Sequence, residues 1–195
     1  MKLIYKGKYH GEADLPVRIH PANAVPFREV QDMKKLALLL NAVSIPMLAL
    51  TALGVVLRGL PYIESSTLAI TLGMLVPFLT LFPHELLHAL CFKGEVELWT
   101  NLKMGMLFVV GIEDMSKARF VFMSLLPNLV FGWIPYILFL IHPQWMFLGV
   151  LGAISIPMGI GDYYNVYNCL TQVPKGALVY LSGMHSYWYV SDGKE

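Results

Sequence analysis

Four long apolar runs organise the chain: about Leu36 to Leu57, Thr67 to Phe92, Phe120 to Ile141, and Trp145 to Tyr164. The first holds 22 residues. At a helical rise of 1.5 Å per residue it reaches about 33 Å, enough to cross a hydrocarbon core about 30 Å thick. The runs therefore predict four transmembrane helices, about 36–57, 67–92, 120–141 and 145–164. Pro46 predicts a kink in the first and Pro83 a bend in the second. Gly149, Gly152, Gly159 and Gly161 predict close approach of a neighbouring helix to the fourth.

The polar stretches between them have their own patterns. Residues 1–35 predict a short strand at Leu3–Tyr5 and turns at Gly7, Gly11, Pro16, Pro21 and Pro26, then a charged surface helix from Phe27 to Lys35. From 93 to 117, Glu95-Val96-Glu97-Leu98 alternates, as does Lys103-Met104-Gly105-Met106, with Thr100-Asn101 suited to a turn. That predicts a β-hairpin. The tail, 172–195, predicts short strands at Ala177–Leu181 and Tyr187–Val190. The expected fold is an all-α membrane protein with four transmembrane helices, a small cytosolic β-hairpin and short β elements at the termini. It divides into an N-terminal segment (1–35), a membrane domain (36–171) and a C-terminal tail (172–195).

Composition agrees with a membrane setting. Of the 195 residues, 56% are hydrophobic and 14% charged, against about 25% charged in soluble domains. A net charge of +1 argues against nucleic acid as a partner. With four spans both termini share one side, which receives thirteen of the fourteen basic residues; only Arg58 falls on the other. The positive-inside rule then places both termini and the hairpin in the cytosol of a multi-pass cell-membrane protein. The first apolar run begins too late for a removable signal peptide. Cys91 and Cys169 do not make a disulfide framework, and Cys91 reads as a small hydrophobe.

The chemistry is concentrated in His84-Glu85-Leu86-Leu87-His88, near the end of the second run. Histidines at i and i+4 share one helix face and reach a single metal ion, while the adjacent glutamate is the base of such sites. The same residues are also tolerated as a solvated helix end at a membrane surface. Asp162 stands in an apolar setting, a costly placement for an acid without a partner. His142 and His185 read as surface residues. One edge of the hairpin is a candidate for pairing with an extended substrate beside the metal.

Three stretches carry a resemblance to a known family: Phe82-Pro83-His84-Glu85-Leu86-Leu87-His88-Ala89-Leu90, Asn23-Ala24-Val25-Pro26-Phe27, and Val173-Pro174-Lys175-Gly176-Ala177. On these the chain resembles bacterial multi-pass membrane zincin peptidases, similar in layout to the site-2 intramembrane metalloproteases. The resemblance implies Zn2+ held by His84, His88 and an aspartate on a later helix. Here that aspartate is Asp162, preceded by Gly161 and followed by Tyr163 where the site-2 enzymes carry a Leu-Asp-Gly setting. A depth count agrees: His84 lies 17 residues from Thr67 and Asp162 17 from Trp145, about 26 Å along either helix. Glu113 and Asp114 compete for the same role. Asn128 is a candidate contact to substrate or oxyanion, or else a hydrogen bond between helices. The expected function is a zinc-dependent membrane endopeptidase with Glu85 as general base, a peptide or protein substrate, and lipid as its surroundings. The rival is a metal-binding transporter or sensor without catalysis. A transporter is expected to show further intramembrane polar residues or repeats, which this sequence lacks.

Overall fold

The computed structural model describes residues 1–101 and 105–191. In chain order its elements are β1 (Lys2–Lys8), β2 (Val25–Pro26), α1 (Met33–Gly59), α2 (Thr67–Leu79), α3 (Leu81–Leu90), β3 (Glu95–Asn101), β4 (Met106–Val110), β5 (Met115–Ser116), α4 (Lys117–Asn128), α5 (Ile134–Ile141), α6 (Met146–Met158), α7 (Ile160–Gln172), β6 (Leu178–Ser182) and β7 (His185–Tyr189). A π-helical turn, Leu129–Trp133, joins α4 to α5. Two compact units result, each drawn from separated stretches. One comprises Met1–Glu29, Glu85–Ser124 and Asn165–Glu195; the other comprises Val30–His84 and Leu125–Tyr164.

The second unit is helical and built around α6, against which α1, α2 and α5 pack. Small residues let the backbones approach. A side chain on Gly152 would meet the Gly132 carbonyl oxygen at 2.7 Å. Thr51 Oγ1 donates to the Ala153 carbonyl (2.8 Å) and Tyr136 Oη to the Thr51 carbonyl (2.9 Å), tying α1 to α6 and α5. Val55, Tyr136, Phe139, Met146, Val150 and Ile156 form the core. The outside is apolar as well: Leu38, Leu57, Leu68 and Leu79 are each at least 71% exposed. In water such a surface would be an aggregation liability; in lipid it is the solvated face. Met33–Tyr62 and Lys117–Ile141 are long and apolar enough to cross a membrane, and the count rises to four if each bent pair, Glu64–Leu90 and Met146–Gln172, is one span.

The helix boundaries depart from the expected ones for identifiable reasons. The charged helix expected over Phe27–Lys35 begins only at Met33, where the Asp32 carboxylate accepts from the N–H groups of Lys34 (2.8 Å) and Lys35 (3.2 Å). Before it, the N–H groups of Phe27, Arg28 and Val30 donate to the Ser186 carbonyl, the Gln172 side chain and Tyr164 Oη, so they are not available to a helix. α1 runs unbroken through Pro46. The second run breaks at Thr80 by 52°, and the fourth breaks at Gly159 by 53° and then continues to Gln172, eight residues past its expected end.

The first unit joins the expected hairpin and the short terminal strands into two sheets. Its three-stranded sheet has the order β1-β3-β4, with β1 parallel to β3 and β4 antiparallel. A second, antiparallel sheet has the order β2-β7-β6-β5. The predicted hairpin is present, in the register Glu97↔Val110 to Asn101↔Met106. Thr100 and Asn101, expected to turn, are paired strand residues. Lys103 and Met104 lie outside the described residues. The tail strands pair as a hairpin turning at Gly183, whose φ of +62° suits glycine. Phe27, Phe92, Val96, Phe120, Cys169 and Val179 are among the core residues of this unit.

Candidate metal centre

α3 owes its position to Pro83. A proline has no N–H for the carbonyl four residues back, and its ring crowds that carbonyl. Four residues back is Leu79, so the helix yields at Thr80 rather than at Pro83 itself. Thr80 Oγ1 donates to the Pro77 carbonyl (2.7 Å), and the His84 N–H opens the new helix by donating to the Thr80 carbonyl (2.8 Å). Pro83 then sits in the first turn of α3, where a missing N–H costs little.

Along α3 the i, i+1, i+4 spacing gathers His84, Glu85 and His88. One ligand atom from each lies within 4.8 Å of the others, and among the described residues this is the group that could hold a metal ion. His88 is buried, and its Nδ1 lies 2.8 Å from the Met123 carbonyl oxygen. A carbonyl only accepts, so Nδ1 carries the proton and Nε2 of the neutral ring carries the lone pair that a metal needs. Glu85 Oε2 accepts from the Val109 N–H of β4 at 3.1 Å. The other edge of β4 is paired with β3, so this N–H marks the outer edge of the sheet.

His84 Nε2 lies 3.2 Å from Asp162 Oδ2. α2 and α6 are each 13 residues long, each ends in a one-residue break, and His84 and Asp162 follow in the first turns of α3 and α7. Asn128 donates from Nδ2 to the same Asp162 oxygen at 2.8 Å. Its side chain lies against Gly159, where any Cβ would overlap the amide. Asn128 is only 2% exposed. This is the helix-to-helix hydrogen bond among the roles expected for it.

The donor set suits zinc. Tetrahedral zinc with bonds of about 2.0–2.2 Å holds its ligand atoms about 3.3–3.6 Å apart, and His84 Nε2 and Asp162 Oδ2 are 3.2 Å apart, just short of that range's lower limit. Imidazole and carboxylate are ligand types that zinc takes, and the group that could hold an ion is His84, Glu85 and His88. The other acids considered from the sequence are held elsewhere. Glu113 accepts from the N–H groups of Lys93 (2.9 Å) and Gly94 (2.6 Å) and from Arg119 Nη2 (2.5 Å), while Arg119 also donates to the Cys91 carbonyl. Burial opposes the charge on Glu113, but these donors outweigh it and hold its carboxyl below the usual range. Asp114 pairs with Arg18 at 2.8 Å. The Cys91 thiol donates to the Leu87 carbonyl, His185 pairs with Glu29, and His142 packs on Trp145.

A family model described as "Putative zincin peptidase" matches residues 77–178, which is 102 of the 195 residues. The chain belongs to this family. The matched stretch carries His84, Glu85, His88, Asn128 and Asp162. No curated protein and no solved structure matches the chain. For a zincin family the group on α3 is the expected one: two histidines for the metal and a glutamate beside them.

Reading the sequence did not find the partners of these residues. The Met123 carbonyl, the Val109 N–H and the bond from Arg119 to the Cys91 carbonyl at the end of α3 are all contacts between separated segments. Only the first left a local sign, in the proline four residues after Met123.

Proposed function

We propose that this protein is a zinc-dependent, membrane-embedded endopeptidase that hydrolyses peptide bonds close to the cytosolic face. The observation that carries the reading is the gathering of His84, Glu85 and His88 on one short helix, with Asp162 beside His84. His84, His88 and Asp162 would hold the ion, and Asn128 steadies the Asp162 carboxylate through its amide N–H. Zinc, when bound, supplies Lewis-acid polarisation of the scissile carbonyl and acidifies the attacking water. Glu85 takes the proton of that water and later returns it to the leaving nitrogen. The outer edge of β4 supports a place for the substrate. By the two-residue alternation of an antiparallel pair, Leu107 turns its N–H the same way as Val109, and a peptide added there as a strand would run past Glu85. Met106, like Phe108, turns its N–H toward β3 by the same alternation.

The lopsided basic residues and the apolar exterior support the membrane placement, with both termini cytosolic. The test is a metal and turnover assay on purified protein. His84→Ala and His88→Ala should lose bound zinc, and Glu85→Gln should keep zinc and lose peptide hydrolysis. Full hydrolysis by Glu85→Gln would refute the general-base assignment. Zinc binding without hydrolysis by the wild type on any peptide or membrane-protein substrate would favour a binding module instead.

A further inference from the structure

We infer that Pro127 is a positioning residue for His88: by withholding an N–H from the Met123 carbonyl, it reserves that carbonyl for the histidine ring. The inference rests on the reading of His88 as a metal ligand.

In an α-helix the carbonyl of residue i accepts from the N–H of residue i+4. For Met123 that residue is Pro127, which has no N–H. α4 nevertheless continues through Pro127 to Asn128. Met123 is 7% exposed and Pro127 is among the most completely buried side chains, so water is a poor substitute donor. A buried carbonyl without a partner is costly. His88 Nδ1 meets it at 2.8 Å. One hydrogen bond thus satisfies the orphaned carbonyl, sets the ring tautomer and fixes the direction in which Nε2 faces. Any other residue at 127 would offer the helix its own N–H and put it in competition with His88.

Pro127→Ala introduces that competing donor. In the metal-free protein, ¹⁵N chemical shifts of the His88 ring should show the Nδ1–H tautomer in the wild type and its loss in the variant. Zinc affinity, measured by chelator competition, should fall about 10- to 100-fold, the usual effect of losing such a supporting bond. The fold should survive, because alanine is a better helix former than proline. The decisive third variant places lactic acid at position 127 by α-hydroxy-acid suppression. The resulting ester has alanine's shape and no N–H, so it should restore both the tautomer and the affinity. An unchanged tautomer and a zinc affinity within about twofold of wild type in Pro127→Ala would overturn the inference. So would a loss that the ester does not rescue, since the ring's effect on helix shape would then be responsible. The tautomer is read without metal, so it separates this inference from the metal reading. A wild-type ring protonated at Nε2 sinks the inference even if zinc binds, and an Nδ1–H ring lost in Pro127→Ala sustains it even if zinc binding by His88 fails.

Discussion

Gly159→Ala should damage the centre without touching any proposed ligand. A Cβ at 159 would overlap the oxygen, carbon and nitrogen of the Asn128 amide at once. Asn128 is 2% exposed, so the amide has no solvent to swing into, and it must give up its hydrogen bond to Asp162 Oδ2 or push α7 away. Overpacking of this kind costs about 1–3 kcal/mol of stability. Releasing the carboxylate should lower zinc affinity about 10- to 100-fold, which is about 1.4–2.7 kcal/mol. Thermal unfolding in lipid nanodiscs reads the first effect and chelator competition the second. Two companions sharpen the result. Gly161→Ala should be silent, because a side chain there meets open space. Adding Asn128→Ser to Gly159→Ala makes room for the methyl, so stability should recover while zinc affinity stays low, since the shorter side chain cannot reach Asp162. The reasoning is refuted if Gly159→Ala unfolds and binds zinc like the wild type, or if the double variant regains affinity.

Three other outcomes are expected. Glu113→Gln should destabilise the protein at neutral pH. The carboxyl of Glu113 is held below its ordinary range in the folded state, so its contribution is present above the ordinary carboxylate pKa of about 4.3 and is lost as pH falls through the lower folded value. Melting curves of variant and wild type should therefore converge in acid. Leu107→Pro should keep zinc and the fold, since an outward N–H on an edge strand is dispensable to the sheet, yet lower kcat/KM for a peptide about two- to tenfold; unchanged turnover would remove β4 from substrate binding. Reporters fused after Lys35, within the β3–β4 turn and at the C-terminus should all score as cytosolic, and an external score at the turn would reverse the placement of the centre.

Local patterns were readable and distant pairings were not. The His84–His88 spacing needs only one helix, so its geometry follows from the sequence. The parallel pairing of β1 with β3 joins Lys2 to Glu95, and no pattern within either strand announces it. β2 and β5 are two residues each, too short for alternation to register. The apolar run of the fourth helix ends near Tyr164, and Asn165, Asn168, Thr171 and Gln172 beyond it are polar. Helical hydrogen bonding does not require apolar side chains, and Gln172 donates to Asn168 one turn earlier at 3.0 Å, so the helix persists.

The prolines show where sequence reading stopped short. Pro83 predicts a bend at its own position, yet a proline acts on the carbonyl four residues before it, and the break lies at Thr80. Read with that offset, Pro83 and Pro127 become parts of one design. The first starts a fresh helix on whose first turns His84, Glu85 and His88 lie; the second leaves a carbonyl in α4 for His88. Gly159 does for α7 what Pro83 does for α3. It interrupts a helix after 13 residues, admits Asn128 to the gap and sets Asp162 in the turn that follows. The equal counts from Thr67 and Trp145 assumed straight helices. They still bring His84 and Asp162 together because both helices break at matching points and by nearly the same angle, 52° and 53°. In a helix that must satisfy its own backbone groups, a carbonyl is free to hold a ligand only where its usual donor is missing, as at Met123 before Pro127.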